Sequence, residues 1–297
     1  MSLPEGCTSR PLTFDDVDAV VELANTCERH DTGVVMLDRE DVVADLRQEG
    51  VELPRDTVGI FEGGRMVGSA MLPGDRGAWV DVHPEARGRG IGTSLRLFIE
   101  RRARERGFRR IGQTIDDRRK EAAGFLVQAG YTPRRTAWVL TIEHAERPTD
   151  PRVPDGIRLR HYHPGDEDGT FAVFEHAFAE WPDRTPSSPA TWRALTIERE
   201  GFEAEDLLLA VAGEEIVGGA FLIESGEIWV DKLAVHRGHR HRGIARALLQ
   251  TAFQRSFDRG YTASSLSTDS DTGALTLYEK LGMRVSQSHT HYALDLG

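Results

Sequence analysis

The chain repeats one series of local signals at positions about half of its length apart. A strand pattern ending at Val82 is followed by a glycine-bearing turn, and a strand pattern ending at Val235 is followed by a similar turn. In both copies an arginine, Arg87 or Arg240, stands five residues after the valine. Because self-similarity on this scale indicates a duplicated structural unit, the 297-residue chain is predicted to hold two domains of similar size.

A polar stretch with prolines separates the two copies. Residues 143–154 carry Pro148, Pro151 and Pro154, and proline disfavours both helix interiors and central strands. The sequence therefore predicts a first domain over residues 1–145, a linker over 146–154 and a second domain over 155–297. A further proline-rich stretch, residues 181–189, lies inside the second copy and is predicted to be a loop near a site.

Composition limits the partners that this chain can have. The formal net charge of −11 argues against nucleic acid, because binding a polyphosphate needs a broad basic face. No apolar run approaches the ~20 residues of a membrane span, and the first residues do not form a secretion signal. The two cysteines, Cys7 and Cys27, have no CxxC spacing, which predicts free thiols in a reducing compartment. We therefore expect a cytoplasmic protein with no nucleic-acid or membrane partner.

Each copy places a strand, a turn and a helical pattern in succession. The first N–H groups of a helix have no internal acceptor and the helix dipole favours anions there, so each turn is predicted to bind phosphate groups. The candidate residues of the second copy are Arg240, His241, Arg242, Gly243, Ile244 and Ala245. Those of the first copy are Val82, Arg87, Gly88, Arg89, Gly90, Ile91 and Gly92.

Two common nucleotide sites do not fit these turns. Residues 238–243 have the GxxxxG spacing of a P-loop, but Ile244 and Ala245 stand where lysine and serine or threonine are required. The first copy does not complete the dinucleotide motif GxGxxG, because Thr93 occupies the third glycine position. A Walker-type NTPase and a dinucleotide-binding domain are therefore not predicted.

The pattern Arg-x-x-Gly-x-Gly/Ala after a strand ending in valine resembles the acetyl-CoA loop of the GNAT superfamily. Residues 271–283 of the second copy also resemble a later motif of that superfamily, Asn-x-x-Ala-x-x-Leu-Tyr-x-x-Leu-Gly-Phe. Two departures are Asp271 in place of asparagine, which affects a cofactor contact, and Met283 in place of phenylalanine. The resemblance implies an α/β fold with two tandem domains, each a mixed, splayed sheet flanked by helices, and acetyl-CoA as donor.

The resemblance also assigns roles within the second copy. It implies that Tyr278 is the general acid for the departing thiolate, while Leu126 stands at the equivalent place in the first copy. The first domain is thus expected to be non-catalytic, either binding acetyl-CoA without turnover or serving as a scaffold. This layout is similar to that of the tandem mycothiol synthases. Backbone N–H groups of Leu233, Ala234 and Val235 are expected to meet the oxyanion.

Candidate bases lie on the strand before the second turn. Glu227 and Asp231 are four residues apart, so strict alternation would place both on one face of the strand. Either could accept the amine proton, and the second copy has an extra pair of residues near 231–232 relative to the first. The run from His236 to His241 holds three histidines, but a phosphate-binding turn is a poor metal site and no metal is predicted.

The sequence therefore predicts an N-acetyltransferase that uses acetyl-CoA and a small primary amine, by direct attack in the second domain. Two alternatives stay open: acetylation of a cysteinyl amine in the manner of mycothiol synthase, or a silent acyl-CoA-binding regulator. Residues around 178–191 are expected to line the acceptor site, without a specific signal for its identity.

Overall fold

Two compact units make up the chain, and their limits differ from the predicted domain boundaries. The computed structural model describes residues 3–35, 37–74, 77–180 and 186–297. The N-terminal unit consists of Met1–Thr136 with Ser288–Gly297, and the C-terminal unit of Ala137–Gln287. Residues 137–145, assigned from the sequence to the first domain, thus pack in the C-terminal unit. The prolines indicate where helices and strands stop. The limits of the units depend instead on the packing of two long strands, Thr132–Glu143 and Arg284–Asp295.

The N-terminal unit is built on hairpins and one long helix. A four-stranded sheet has the order β1-β2-β3-β4, and a second group of strands places the final strand of the chain, β12, against β5. Its elements are β1 (Cys7–Arg10), α1 (Val17–Asp31), α2 (Arg39–Leu46), α3 (Leu53–Asp56), β2 (Thr57–Glu62), β3 (Arg65–Met71), β4 (Trp79–Val82), α4 (Ile91–Glu105), β5 (Arg110–Asp116), α5 (Lys120–Gln128) and the first residues of β6 (Thr132–Glu143).

The C-terminal unit repeats this order. Its sheet begins with residues 137–143 of β6, which pair with β11, and continues through β10, β9 and β8 to β7. Its elements are β7 (Arg158–His161), α6 (Glu167–Phe178), α7 (Pro189–Leu195), β8 (Leu207–Ala212), β9 (Glu215–Glu224), β10 (Ile228–Val235), α8 (Ile244–Asp258), β11 (Ala263–Asp269), α9 (Leu275–Lys280) and the first residues of β12 (Arg284–Asp295).

The sheets combine antiparallel hairpins with a parallel pairing, so the predicted mixed sheets flanked by helices are confirmed. The repeated turns at residues 63–64 and 213–214 join β2 to β3 and β8 to β9, where Gly63, Gly64 and Gly213 adopt positive φ angles. Strands β10 and β11 are parallel. Because parallel neighbours need a crossover, α8 connects them across one face of the sheet.

Apolar residues at helical spacing fix α8 on that sheet. Ile244, Leu248, Ala252 and Phe253 are buried with Ile228 and Val230 of β10 in the main cluster of the C-terminal unit. Burial of each large side chain contributes roughly 1.5–3 kcal/mol. Helix α8 thereby holds its first turn at the carboxyl end of β10, where the predicted phosphate-binding turn lies. No helix in the described part of the chain is both long and apolar enough to cross a lipid bilayer.

Candidate active site

The turn between β10 and α8 has the backbone shape that a phosphate-binding loop requires. His241 has a φ of 61° and Gly243 a φ of 91°, both in the left-handed region. In the N-terminal unit Gly88 and Gly90 take the same places with φ angles of 74° and 89°. A left-handed conformation is costly for a residue with a Cβ atom, so the histidine indicates that the shape of this turn is strongly imposed.

Within the described part of the chain, the amides of this turn have no hydrogen-bond acceptor. Backbone N–H groups of residues 241–246 donate to no acceptor in the described ranges, and the first helical bond runs from Ala247 N to Gly243 O at 3.0 Å. Residues 88–93 of the N-terminal unit show the same pattern, starting with Ser94 N to Gly90 O. These converging donors fit the diphosphate of coenzyme A, since a helix N-terminus attracts anions.

The first arginine of each turn fixes the loop instead of pointing freely at its mouth. Arg240 Nε donates to Val235 O at 3.1 Å, and its Nη1 donates to Glu180 at 2.7 Å. Arg87 repeats both contacts, with Val82 O at 3.2 Å and a two-bond pair with Asp31 at 2.7 and 2.9 Å. These two residues are therefore structural clamps between the turn and the C-terminal end of the first long helix of each unit, α1 or α6.

The second arginine of each turn differs between the units. Arg242 donates to a neutral acceptor, Asp155 O at 3.1 Å, and contacts the His239 ring at 3.0 Å. Arg89 instead forms a two-bond pair with Glu62, at 2.9 and 2.6 Å. The guanidinium charge of Arg242 therefore stays available to an anion, whereas that of Arg89 is neutralised by a carboxylate.

Strand β10 separates from β11 halfway along its length. The parallel pairing runs from Ile228 to Val230 and ends there, and the register against β9 shifts between Val230 and Lys232. Asp231 is thus the extra residue of a β-bulge, and the strict alternation expected from Glu227 to Asp231 is interrupted. The predicted splay is confirmed.

Above the bulge, alternate amides of β10 face the opening. His236 N donates to Val217 O at 2.8 Å, so the antiparallel pattern directs Ala234 towards β9. Leu233 and Val235 therefore present their backbone groups away from β9, along the separated edge. Three residues were predicted to donate to the oxyanion. The N–H groups of Leu233 and Val235 lie at the opening, whereas Ala234 pairs with Gly219 of β9.

Tyr278 lies on α9 with its ring in the main apolar cluster of the C-terminal unit. The side chain is 7% exposed, and burial raises the pKa of its hydroxyl to about 12. The hydroxyl makes no hydrogen bond to any residue in the described ranges. A protonated phenol without a protein partner is chemically suited to donate to a group that enters the opening.

The two candidate bases have different surroundings. Glu227 precedes β10 and accepts a hydrogen bond from Ser265 Oγ at 2.8 Å, and Ser265 in turn bonds Thr141 Oγ1 at 2.9 Å. Asp231, in the bulge, forms an ion pair with Lys232. Glu227 is therefore oriented by neutral hydroxyl groups, whereas Asp231 is already compensated by a cation.

Asp271 is exposed in the turn between β11 and α9. Its backbone N donates to Asp269 Oδ1 at 3.0 Å, so an Asx-type turn sets the start of this segment. Its carboxylate contacts the hydroxyl of Ser270 at 3.5 Å.

The histidines of the second turn serve local structure. Nδ1 of His236 accepts from Gly238 N at 3.2 Å, and its ring stacks on His176 with centroids 4.8 Å apart. Among the residues that the structure describes, no group of three His, Cys, Asp or Glu side chains has the arrangement of a metal site.

A buried ionic cluster beside β4 of the N-terminal unit was not predicted from the sequence. Arg119 pairs with Asp31, Nε to Oδ2 at 2.8 Å, and with Asp81, Nη2 to Oδ1 at 3.6 Å. Burial raises the pKa of Asp81, and Cys27 Sγ donates to Val82 O at 3.3 Å. The sequence signal was an unusual charge pair, because Arg119 and Asp81 stand where the second copy has Asp271 and Ala234.

Leu126 stands at the position of the candidate acid in the N-terminal unit. It is 2% exposed within the apolar cluster of the N-terminal unit, and it carries no group that exchanges protons. In the proline-rich stretch predicted to lie near the site, residues 181–185 are outside the described ranges, and α7 begins at Pro189 with Ser188 as its N-cap.

Comparisons with known proteins agree with this geometry. The Acetyltransferase (GNAT) family pattern matches residues 18–131 and 171–283. A mycothiol acetyltransferase of Catenulispora acidiphila is 28% identical over 94% of this chain and 95% of its own length. That of Salinispora tropica is 32% identical over 73% of each chain.

Solved structures give the same result. The crystal structure of a GCN5-related N-acetyltransferase from Sphaerobacter thermophilus is 30% identical in sequence, with a TM-score of 0.81, and the match covers 99% of this chain and 97% of that one. A tandem GNAT protein from the clavulanic acid biosynthesis pathway shares the fold at 18% identity, with a TM-score of 0.69 and coverage of 98% and 99%.

Proposed function

Because the chain belongs to the Acetyltransferase (GNAT) family, we propose that its C-terminal unit transfers an acetyl group from acetyl-CoA to the primary amine of a small molecule. The single observation that carries the choice of unit is the pair Tyr278 and Leu126, at equivalent positions of the two copies. A buried phenol is present in one unit and an aliphatic side chain in the other. GNAT acetyltransferases use acetyl-CoA, and the donor supplies a thioester carbon for attack by the amine.

The residues that would hold the donor are those with unused backbone donors. The amides of residues 241–246 fit the diphosphate, and Arg242 would add a positive charge at the same mouth. The outward-facing N–H groups of Leu233 and Val235 and the carbonyl of Leu233 fit the carbonyl oxygen and an amide group of an extended arm, as in strand addition, while the carbonyl of Val235 is bound by Arg240. An amide that meets the oxygen where negative charge develops would stabilise the transition state by about 2.7–4 kcal/mol.

Tyr278 and Glu227 would handle the protons. As nitrogen bonds to the acetyl carbon and the carbon–sulfur bond breaks, Tyr278 donates a hydrogen bond to the departing thiolate sulfur, and Glu227, directly or through water, accepts the amine proton. With a pKa of about 12, Tyr278 is a weaker acid than a thiol. Tyr278 therefore contributes a hydrogen bond to the negative charge that develops on the sulfur, and this does not require transfer of its proton. Asp231 remains the second candidate base, weakened by its ion pair with Lys232.

The relatives named mycothiol acetyltransferase favour one particular acceptor. Two of them cover most of their own length at 28% and 32% identity. A cysteinyl amine of a mycothiol precursor is therefore the second candidate function, and it differs from the first only in the acceptor.

The test is thiol release from acetyl-CoA with a panel of amines that includes amino sugars, amino acids, polyamines and cysteinyl conjugates. Tyr278→Phe is expected to lower kcat about 10²–10³-fold, the cost of one lost transition-state donor, with little change in KM for acetyl-CoA. Tyr261→Phe is the matched control, because Tyr261 hydrogen-bonds Glu224 at 3.2 Å and has no assigned role in the reaction. Equal turnover by wild type and Tyr278→Phe would remove the acid assignment, and no thiol release with any amine would favour a silent acyl-CoA-binding regulator.

A further inference from the structure

The stretch predicted as a linker lies along α8 as part of the C-terminal unit. We name residues 147–155 the linker strap. Arg147 binds both carboxylate oxygens of Asp258 at 3.1 Å, and Gln254 Nε2 donates to Pro148 O at 3.3 Å and to Asp150 Oδ1 at 2.8 Å. Gln250 accepts from Arg152 N and donates to Thr149 Oγ1, both at 3.4 Å. The strap is therefore attached along the outer face of the helix.

The far end of the strap reaches the phosphate-binding turn. Asp155 O accepts from Arg242 Nη2 at 3.1 Å, and Pro154 Cγ lies 3.9 Å from the place that a Cβ atom of Gly243 would occupy. Ile157 N donates to Pro154 O at 3.1 Å, and Ile157 is buried in the main cluster. The end of the strap is thus anchored in the core. The carbonyl of Asp155 therefore has a fixed position, and its hydrogen bond holds the Arg242 side chain in place.

The N-terminal unit shows that α8 does not need this cover in order to fold. Helix α4 has the same fifteen-residue length and starts after an equivalent glycine. At the positions of Gln250 and Gln254 it carries Leu97, which is 51% exposed, and Arg101, which is also exposed. This face borders a cavity of about 620 Å³ lined in part by Thr93, Leu97 and Phe98. The buried Gln250, 7% exposed, therefore marks a groove that the strap fills in the C-terminal unit. Among the described residues of the N-terminal unit, Leu3 and Pro4 border the equivalent cavity at its end near Gly90, while Leu97 stays exposed.

The two units also hold their second arginine in ways that match this difference. In the N-terminal unit Arg89 forms an ion pair with Glu62, so the positive charge of Arg89 is neutralised at the turn. In the C-terminal unit the strap offers a backbone carbonyl, which fixes a guanidinium without neutralising it. A fixed and uncompensated arginine loses less conformational entropy when an anion binds.

We propose that the linker strap is a positioning segment for the donor site: it holds Arg242 and the turn at Gly243 in place for the diphosphate of coenzyme A. This inference rests on the proposed function. Gln250 and Gln254 act through the strap, and they need not touch the ligand.

The experiment measures binding to the full-length chain by calorimetry, with coenzyme A and with S-acetylpantetheine, which has the thioester arm and no phosphate. In Gln250→Ala/Gln254→Ala, coenzyme A is expected to bind about fivefold to tenfold more weakly, the cost of an arginine contact that is no longer fixed. The affinity for S-acetylpantetheine is expected to stay the same. Leu97→Ala/Arg101→Ala, at the equivalent positions of α4, is the matched control and should change neither affinity. Gln254→Ala alone, at a half-buried position, gives the same direction with less risk to folding.

Unchanged binding of coenzyme A, or equal weakening of both ligands, would overturn the role of the strap while leaving the proposed function intact. Equal weakening in the α4 control would overturn it too. If the wild-type chain binds neither ligand, the donor site itself is refuted, and that result is distinct from a failure of the strap alone.

Discussion

Burial in the apolar cluster below α9 raises the pKa of Tyr278 to about 12, which has a consequence for the pH profile. The protonated phenol is the active form, and a raised pKa extends its range upwards. We expect kcat to show no decline between pH 7 and pH 10 from loss of this proton, after subtraction of spontaneous thioester hydrolysis. The check is kcat against pH with a saturating amine. A fall with an apparent pKa near 9 would show that the catalytic acid is another group.

The base assignment gives a second pH-dependent prediction. Glu227→Gln is expected to lower kcat/KM for the amine about 10²-fold at pH 7, and less at pH 10, where a larger fraction of the amine is already neutral. Asp231→Asn, the matched control, should cost less than about tenfold because its carboxylate already pairs with Lys232. Steady-state kinetics at both pH values measure this. A larger loss for Asp231→Asn would exchange the two assignments.

Individual residues were predictable where a motif or a missing group identified them. Tyr278 and its replacement by Leu126 could be found by comparing the two copies. The clamp formed by Arg240 with Val235 and Glu180 could not, because Glu180 lies 60 residues away in sequence and an exposed arginine gives the same local pattern.

At the level of elements, Gly243 joins β10 to α8 with a left-handed φ of 91°. Gly243→Glu is expected to bind coenzyme A roughly 30-fold to 150-fold more weakly than Gly243→Ala, because a carboxylate near the diphosphate adds about 2–3 kcal/mol of repulsion to the strain that both variants share. Gly243→Ala introduces the strain alone, ~1–2 kcal/mol, and separates the two effects. Titration calorimetry measures both variants. Equal affinities of the alanine and glutamate variants would contradict a phosphate at this turn.

Most strands and helices near the site follow from their sequence patterns, since turn glycines and apolar periodicity mark their ends. The bulge at Asp231 does not, because it depends on the register that β9 imposes and on the separation from β11. The prediction that Glu227 and Asp231 lie on one face of the strand assumed an unbroken alternation of side chains, and the bulge at Asp231 interrupts it.

At the scale of the whole molecule, we expect a substitution of Arg119 in the N-terminal unit to lower the stability of the protein without changing its catalytic activity. Arg119→Ala removes the guanidinium that pairs with both Asp31 and Asp81 in a largely buried cluster, where only the more distant charge of Arg87 still acts on Asp81, and is expected to lower the free energy of unfolding by about 2–3 kcal/mol. Arg118→Ala, at an exposed neighbouring arginine paired with Asp116, should cost less than about 1 kcal/mol. Urea unfolding measures both. Turnover at 25 °C should be unchanged in either variant, and a loss of turnover with Arg119→Ala would contradict a purely structural N-terminal cluster.

The unit limits predict which fragments fold. A fragment of residues 137–287 retains the strand that pairs with β11 from Ala263 to Asp269, including Leu140, which is 0% exposed. Fragments 155–297 and 144–287 lack that strand, so we expect both to melt at lower temperature or to aggregate, since losing one buried leucine alone costs about 2–5 kcal/mol. Circular dichroism melting curves compare the three. Equal melting temperatures would show that residues 137–143 are dispensable.

The duplication and the tandem arrangement were predictable from the repeat, and the family comparisons confirm them. The partition of β6 and β12 between the units was not, because it depends on pairing over long separations. His289 pairs with Asp116, and Asp295 with Arg110. Local composition does not record such contacts, and the prolines of residues 148–154 indicated a boundary at a different place.

The position of β12 also affects how the protein is made. Asp116 leaves the ribosome 173 residues before His289, its partner. At bacterial and eukaryotic synthesis rates of about 5–20 residues per second, β5 waits roughly 10–35 s for its neighbour. The half that is synthesised first is consequently the last to be completed, and during that interval its open strand edge is the part of the nascent chain that is most exposed to aggregation.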